Sequence, residues 1–262
     1  MHPPSPWSIY ERLEEAAAGN ARVREVLIGL TWTLCESDRG FGLAMSPSHG
    51  TRTLPWPGTL AGRSVRELSP WIRSWNPHEA AVGMAAINAV INPGSPLAAA
   101  ATPIPVQGSA NLAVFQHFAP QLVGRRVVVV GRYPGLDSLA LDCQLTVLER
   151  QPGADDLPDP AAEYVLGEAD WVFLTATSLI NKTFPRLAAC ARGATLVLMG
   201  PTVPWLGALA DWGVDYLAGV HVVDGTHLRQ TVGEGGGTRI FETGVRYAVI
   251  RLMQNGDPYP CL

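Results

Sequence analysis

The second half of the chain repeats one hydrophobic pattern: short apolar runs rich in β-branched residues, separated by segments long enough to form helices. The runs cover residues 126–131, 145–150, 170–177, 195–201 and 214–220. Apolar runs of this length, alternating with crossover helices, are typical of a parallel β-sheet that is covered on both faces. We therefore predict an α/β fold for this half, with ligands bound beyond the carboxyl ends of the strands.

The first half shows a different pattern. Apolar residues alternate with others over residues 26–34, and the turn signal SDRG at residues 37–40 precedes a second apolar run. This arrangement predicts a hairpin in an antiparallel sheet. A helix over residues 8–18 is predicted before it, because Ser8 and Glu11 have the spacing of a capping box and apolar residues recur on one face.

A second helix is predicted to begin at Pro77. Asn76 is a suitable N-cap, Pro77 fits the first helical position, and Glu79 completes another capping-box motif. Residues 92–108 then contain four prolines and two glycines. This composition is typical of a connector packed on the surface.

The change from hairpin to β/α alternation across this connector predicts two domains, a small α+β domain at residues 1–95 and an α/β domain at residues 96–262. A chain of 262 residues with 47% hydrophobic and 16% charged residues can bury two cores. The net charge is -4 without any Lys/Arg run, so nucleic acid and anionic membranes are not expected partners. No secretion signal or membrane-spanning stretch is evident, so we expect a cytoplasmic protein.

The loop after the third predicted strand concentrates polar side chains at the start of a helix. It contains Thr177, Ser178, Asn181, Lys182 and Thr183. Backbone N–H groups at such a position favour an anion, and Lys182 would add positive charge. The alternative is that Asn181 only caps the helix, and the sequence favours neither interpretation.

The loop after the first strand is a candidate nucleotide site. Gly131 and Gly135 follow this strand, and Glu149 ends the second strand, where nucleotide-binding folds place an acid that contacts the ribose. However, GRYPG lacks the G-x-G-x-x-G spacing, and Tyr133 and Pro134 leave less room for a pyrophosphate. A plain tight turn is favoured, and we expect NAD to bind weakly or not at all.

Two further loops carry candidate ligand-binding residues. Gly200 and Pro201 end the fourth strand as a rigid segment, and Thr202 follows as a predicted helix cap. Glu234 lies in the stretch GEGGGTR, which is either a lid over a ligand or a linker to the last strand. The linker is the favoured interpretation.

The stretch HVVDGTH after the fifth strand contains three potential metal donors, His221, Asp224 and His227. A transition-metal site needs several donors that converge, and His221 need not face the same side as the others, because side chains alternate along a strand. Capping of the next helix by Asp224 is favoured over metal contact, with a metal complex held by polar groups as an additional option. The four cysteines form no C-x-x-C pair, so a zinc knuckle is not indicated.

Several segments taken together resemble a known family. EADWVFLTATSLINKTF, LMGPTVPWL, WGVDYLAGVHVVD and GEGGGTR are similar to the Rossmann-like domain of the putative heavy-metal chelation family of bacteria and archaea. VLIGLTWTLCES, FGLAMSP and SWNPHEAAVGMAAINAVIN are similar to its N-terminal domain, which is enolase-N-terminal-like. The resemblance covers nearly the whole chain. It implies a role in binding metal or a metal complex, linked to metal uptake or cobalamin metabolism.

The family pattern covers residues from both halves of the chain. They are Asn76, Pro77, Glu79, Asn181, Thr183, Gly200, Pro201, Asp224 and Glu234. His221 and His227 lie outside the pattern. The resemblance therefore strengthens Asp224 as a functional residue and weakens the two histidines.

Two functional classes follow. The first is a metal-binding or metal-complex-binding protein, with a transition-metal ion as candidate cofactor and a cleft between the domains that uses the loops after the third and fifth strands. The second is a nucleotide-using or S-adenosylmethionine-using transferase that uses the loops after the first and second strands. No catalytic motif nominates a reaction. The sequence leaves open whether the protein is an enzyme and whether it forms a homo-oligomer.

Overall fold

The computed structural model describes residues 5–48, 50–51 and 53–253. Its first part contains a three-stranded antiparallel sheet in the order β1-β2-β3. The strands are β1 (Val23–Ile28), β2 (Trp32–Ser37) and β3 (Phe41–Met45). The predicted hairpin is present as β2 and β3. The alternating run before it is split by a turn in which Leu30 is 84% exposed, so that β1 is a strand of its own.

Three helices accompany this sheet: α1 (Ser8–Ala16), α2 (Val65–Leu68) and α3 (Pro77–Ile91). The predicted capping box at Ser8 is wrong. Trp7 is the N-cap residue, and Ser8 is already helical, with its hydroxyl donating to the Ser5 carbonyl at 2.7 Å. The N-terminus of α1 is therefore held by a local turn instead of a side-chain cap.

The start of α3 follows the prediction more closely. The Asn76 side chain accepts a hydrogen bond from the His78 N–H at 3.0 Å, and Pro77 is the first helical residue. Glu79, however, accepts a hydrogen bond from the Ser74 hydroxyl, so the second predicted capping box is replaced by a longer turn.

Small residues allow α3 to lie at the centre of the molecule. All residues from Ala80 to Ala89 are buried. A Cβ atom on Gly42 of β3 would overlap the α3 backbone, and a Cβ atom on Gly83 would overlap the backbone at Ile72. Because glycine has no Cβ, α3 can contact its neighbours on two sides through the main chain.

An eight-stranded sheet forms the second part, in the order β4-β11-β10-β9-β8-β5-β6-β7. Its strands are β4 (Thr102–Pro103), β5 (Arg126–Val130), β6 (Gln144–Glu149), β7 (Leu157–Pro158), β8 (Trp171–Thr175), β9 (Thr195–Met199), β10 (Tyr216–Val222) and β11 (Val245–Arg251). Strands β5 to β10 are parallel, and β11 runs antiparallel to both of its neighbours, β10 and the edge strand β4. The five predicted strands are confirmed as β5, β6, β8, β9 and β10.

Helices cover this sheet on both faces. Val127 and Val129 pack in one core with Phe115, while Val128 packs in the other with Phe184. The helices are α4 (Pro96–Ala100), α5 (Ala113–Leu122), α6 (Ala162–Val165), α7 (Thr177–Ile180), α8 (Phe184–Cys190), α9 (Gly225–Gly233) and α10 (Ile240–Thr243). The predicted α/β class, with a small antiparallel sheet before a larger and mostly parallel one, is thus confirmed.

The connector between the two parts is more ordered than its composition indicated. It contains α4, which Ser95 caps, and β4, which pairs with β11 at the edge of the large sheet. Prolines suit both places, since they fit the first turn of a helix and the edge of a sheet. The division into two domains at residue 95 stays a prediction.

A polar seam joins α3 and α4 to the loop after β9. The side chains of Asn88, Asn92 and Ser95 donate hydrogen bonds to the carbonyls of residues 202, 203 and 205, at 2.9, 3.1 and 3.2 Å. Asn92 also accepts from the Trp205 N–H at 2.9 Å. Backbone groups of an irregular loop are thereby paired although the loop is buried.

Candidate functional site

A cavity of about 960 Å³ lies between the small sheet and the carboxyl ends of β5, β6, β8 and β9. Trp32, Met45 and Pro77 form part of its wall on the side of the small sheet. The cavity lies where the strand order reverses between β5 and β8, which is the usual ligand site of open α/β sheets. No described residue of the loop after β10 contributes to the wall.

Hydroxyl groups line the cavity after β8. The Thr175 and Thr177 hydroxyl oxygens lie 3.2 Å apart, and Ser178 donates to the Thr175 carbonyl at 2.7 Å. The Thr177 hydroxyl also lies 3.6 Å from the sulfur of Met45 in β3. These contacts orient short polar side chains at the edge of the cavity.

Asn181 and Thr183 follow in the same loop, and both line the cavity. Asn181 Oδ1 accepts hydrogen bonds from the Thr183 N–H at 3.1 Å and from its hydroxyl at 2.6 Å. The N-cap of α8 is Thr183, which makes no side-chain cap bond. Asn181 therefore stabilises the turn before the helix without being its N-cap, and the anion site proposed for this loop stays a prediction.

Lys182 lies between them in an unusual conformation. Its φ of 65° is the only positive φ among the described non-glycine residues. Its Nζ donates to the Ile180 carbonyl at 2.8 Å and to the Ser74 carbonyl, and lies 5.7 Å from the centre of the Trp75 ring. Burial lowers the pKa of the Lys182 amine to about 8, because removal from water disfavours the charged form.

The loop after β9 joins the cavity to the first part of the chain, and residues 200–202 all line the wall. The prediction that Thr202 caps a helix is wrong. Its hydroxyl accepts a hydrogen bond from the Met45 N–H at 3.0 Å, and its carbonyl accepts one from Asn88. Asn88 also donates to the Leu43 carbonyl at 2.8 Å. Thr202 thus connects the β9 loop to β3 and α3.

The loop after β5 is built for close packing. Gly131 has a φ of 97°, and a Cβ atom there would lie 3.1 Å from the Thr175 side chain. The buried Tyr133 hydroxyl lies near Gly200, and burial raises the pKa of Tyr133. The Asn111 amide donates to the Pro134 carbonyl at 2.8 Å and fixes the loop from the other side.

Glu149 has a structural role that the sequence did not reveal. Its carboxylate accepts hydrogen bonds from the Arg132 N–H at 2.8 Å and the Arg150 N–H at 2.7 Å. It therefore joins the loops after β5 and β6. Of the residues predicted to hold an adenosine group, Gly131 and Glu149 line the cavity, whereas Gly135 does not.

Each arginine in the cavity wall is paired with a carboxylate. The pairs are Arg132 with Asp137 and Asp156, Arg150 with Asp159, and Arg186 with Glu163. These ion pairs occupy the guanidinium groups at the rim. Among the described residues of the wall, Lys182 is the remaining cation, and none of the ion pairs includes it.

The loop after β10 is organised around Asp224. Asp224 Oδ1 accepts from the His227 N–H at 2.9 Å, and Oδ2 lies 2.7 Å from His227 Nδ1, so the predicted cap of α9 is confirmed. The backbone hydrogen bond from His227, followed by its ring, lowers the pKa of Asp224. The His221 ring stacks on Trp205 at 5.5 Å between ring centres, and burial lowers the pKa of His221.

The structure does not bring these three metal donors together. Asp224 and His227 bond to each other, but His221 packs on Trp205 at the end of the strand. Within the part of the chain that the structure describes, no group of three or more His, Cys, Asp or Glu side chains is placed to hold a metal ion. None of the three residues lines the cavity.

Three other predicted site residues also lie outside the cavity wall, namely Asn76, Glu79 and Glu234. The first two organise the start of α3, and Glu234 ends α9 as its C-cap residue. Further along the glycine-rich stretch, Gly237 does line the cavity, and its carbonyl accepts a hydrogen bond from Trp32 Nε1 at 2.9 Å. This bond fixes the stretch to β2 at that point.

Sequence reasoning missed several residues of the wall. Trp32 and Asn111 carried no motif, since their place depends on contacts between distant segments. Lys182, in contrast, was among the residues that the sequence predicted for the loop after β8, and it is the only lysine among 19 lysine and arginine residues.

These features define an α/β protein with an organic-ligand-sized cavity between a small antiparallel sheet and a large, mostly parallel one. A model of the DUF364 family, described as "Putative heavy-metal chelation", matches residues 113–251, and a DUF4213 model with the same description matches residues 10–91. The chain belongs to the DUF364 family, as the resemblance implied. No helix of the described residues is long and apolar enough to cross a membrane.

Two solved structures are similar to this chain over almost its whole length. A DUF364 protein of unknown function from Desulfitobacterium hafniense is 32% identical, with a TM-score of 0.82, and the match covers 94% of this chain and 98% of that one. A DUF364 protein of unknown function from Pyrococcus horikoshii is 22% identical, with a TM-score of 0.71 and coverage of 94% and 99%, and supports the fold alone. No curated protein matches the chain.

Proposed function

We propose that the protein binds a metal ion that is already held by an organic chelator, and that this complex occupies the cavity. The observation that supports the proposal is that the cavity is large while its surroundings offer few metal-donor side chains. The cavity measures about 960 Å³, yet the described residues offer no group of three metal donors. A bare ion needs several converging protein ligands, whereas pockets of roughly 300–1,000 Å³ suit organic molecules.

The chemistry of the wall supports an organic partner. Hydroxyl, amide and amine groups from Thr175, Thr177, Asn181 and Lys182 stand beside apolar surface from Trp32. Such groups can hydrogen-bond a chelator and leave the metal to the chelator's own donors. The metal is cargo in this proposal, and the family description is the reason for including it. The link to metal uptake or cobalamin metabolism stays a prediction.

The test is to purify the full chain without an affinity tag or a chelating column. Metal content is measured by inductively coupled plasma mass spectrometry, and organic molecules released by denaturation are identified by mass spectrometry. We expect a metal and an organic molecule in equal amounts, and no retention of bare nickel, cobalt or zinc by the emptied protein after dialysis.

Matched variants locate the bound material. Thr177→Trp is designed to place a large ring in the cavity and should abolish co-purification, whereas His227→Ala on the β10 loop should leave it intact. Thermal melting confirms that both variants fold. Retention of one equivalent of bare metal by the wild type, lost in His227→Ala, would overturn the proposal and place the metal at the β10 loop.

A nucleotide-using or S-adenosylmethionine-using transferase is the second candidate. The position of the cavity at the strand reversal between β5 and β8 favours it. The Glu149 carboxylate already accepts hydrogen bonds from three backbone N–H groups, and Tyr133 and Pro134 occupy the β5 loop. Both observations argue against a dinucleotide. Calorimetric titration with NAD and S-adenosylmethionine distinguishes the classes, and micromolar affinity for either would favour this candidate.

A further inference from the structure

Lys182 stands out by residue type. It is the only lysine of a chain in which lysine and arginine together number 19. An arginine could bind a carboxylate or phosphate through two N–H groups, so anion binding alone gives no reason for a lysine at this place. An amine differs from a guanidinium because it can lose its proton and act as a nucleophile.

The hydrogen bonds of Nζ leave one position on the nitrogen without a partner in the part of the protein that the structure describes. Nζ donates to the carbonyls of Ser74 and Ile180. When the amine loses its proton it has two N–H groups and one lone pair, so the two carbonyls bind both N–H groups and leave the lone pair available. None of the ion pairs among the described residues holds a proton on Lys182. In its deprotonated form the amine is therefore held by the two carbonyls with its lone pair available.

The environment of Lys182 increases the share of the neutral form. Its side chain is half-buried in the cavity wall beside the Trp75 ring, and this burial lowers the pKa of the amine to about 8. At neutral pH the unprotonated fraction is consequently much larger than that of an exposed lysine, whose pKa is about 10.4.

The backbone at Lys182 adds a separate argument. Its φ of 65° belongs to the left-handed region that residues with a Cβ atom avoid. Glycine would occupy this position without strain, yet the chain places its single lysine there. Strained backbone of this kind concentrates at functional sites, where the side chain is needed in one orientation.

We propose that Lys182 forms an imine with an aldehyde or ketone group of a ligand in the cavity. The Nζ lone pair adds to the carbonyl carbon, and one amine proton moves to the carbonyl oxygen to give a carbinolamine. Loss of that hydroxyl with the second amine proton forms the C=N bond and releases one water, so no oxidant or reductant is required. This activity goes beyond binding of a metal complex and shares only the cavity with it.

Reductive trapping tests the proposal on metal-free full-length protein. Pyridine-2-carboxaldehyde and cyanoborohydride are added at pH 7, and the modified residues are mapped by peptide mass spectrometry. The Arg12→Lys variant supplies an internal control, because position 12 is 61% exposed and far more hydrated than the cavity wall. We expect Lys182 to react about tenfold faster than the amine introduced at position 12.

Control experiments show whether the folded structure, and not only the presence of an amine, makes Lys182 reactive. In denaturant the two lysines should react at the same rate. Lys182→Arg should keep the positive charge and abolish trapping, and Lys182→Met serves as a second variant if the arginine disturbs the fold. Lys182 reacting no faster than position 12, or not at all in folded protein, overturns the proposal. Because the assay contains no metal, this result would leave metal-complex binding untouched.

Discussion

The loops after β8 and β10 occupy equivalent positions at the carboxyl ends of two parallel strands, but their polar side chains have different surroundings. Both follow a parallel strand, carry clustered polar residues and lead into a helix. After β8 these residues line a large cavity, whereas after β10 Asp224 and His227 bond to each other and to the start of α9. A strand end brings side chains to the edge of the sheet, but the neighbouring elements decide whether they face a cavity.

The covering element explains the difference. At the β10 end, α9 lies against the small sheet, where Gly225 sits beneath Phe41 and Arg229 pairs with Glu25 at 2.9 Å. At the β8 end, α7 is short and the chain turns away at Lys182. The space in front of β8 therefore stays open, and the space in front of β10 is filled by a helix.

The largest expected effect tests whether α9 fills the space in front of β10. Gly225→Ala should lower the free energy of unfolding by about 1–3 kcal/mol, because the new Cβ would overlap the Phe41 ring and push α9 from the small sheet. Urea denaturation measures the change. Gly233→Ala in the same helix is the control, since nothing lies within 4 Å of its Cβ position. In the Phe41→Ala background the Gly225→Ala effect should shrink, and an unchanged effect would contradict this explanation.

The contact between the β9 loop and β3 can be broken through Thr202. Thr202→Val removes the acceptor of the part-buried Met45 N–H and should cost about 0.5–1.5 kcal/mol, because the hydrogen bond between the β9 loop and β3 is lost. Thr202→Ser keeps the hydroxyl and should retain most of the stability. Equal urea midpoints for the valine variant and the wild type would show that this bond does not hold the β9 loop.

A smaller effect is expected at the cap of α9. Asp224→Ala should lower Tm by a few degrees, whereas Asp224→Asn should keep most of the cap. Hydrogen bonds lower the pKa of Asp224 in the folded chain, so its charge stabilises the fold above the unfolded pKa of about 3.9. This advantage over Asp224→Asn should disappear as pH falls through the folded pKa. A difference in Tm that persists in strong acid would contradict the charge argument.

The last expected effect appears only at alkaline pH and concerns Lys182. Its pKa is about 8 when folded and about 10.4 when unfolded, so between these values the unfolded chain keeps a proton that the folded chain has lost. The wild type should therefore gain stability relative to Lys182→Met as pH rises from 8 to 10. Parallel stability curves for the two proteins would show that the amine titrates normally.

Local signals predicted much of the fold and only part of the site. Strand runs, the Asn76 cap and the Asp224 cap depend on neighbours in sequence, and the structure contains all of them. The Thr202 hydroxyl, in contrast, meets the Met45 N–H, 157 residues away. Lys182 meets the Ser74 carbonyl over a separation of 108 residues. No spacing rule reveals such pairs.

The same limit applies to the β10 loop. The sequence predicted that Asp224 follows the fifth strand and caps the next helix, and it does so in the structure. Its role in ligand binding stays a prediction. The sequence did not show that α9 packs on the small sheet, or that the Glu149 carboxylate accepts hydrogen bonds from three backbone N–H groups. Local chemistry indicated which residues could act, whereas long-range packing determines which of them face the cavity.

The seam between α3, α4 and the β9 loop has a consequence for how the molecule comes apart. Its side chains from residues 88, 92 and 95 satisfy carbonyls of a buried loop that belongs to the large sheet. If the small sheet opened alone, those carbonyls would lose their donors in the interior, which is a costly intermediate. We therefore expect calorimetry to record one cooperative unfolding transition for both sheets. A destabilising substitution in either sheet should then lower the unfolding temperature of the whole molecule.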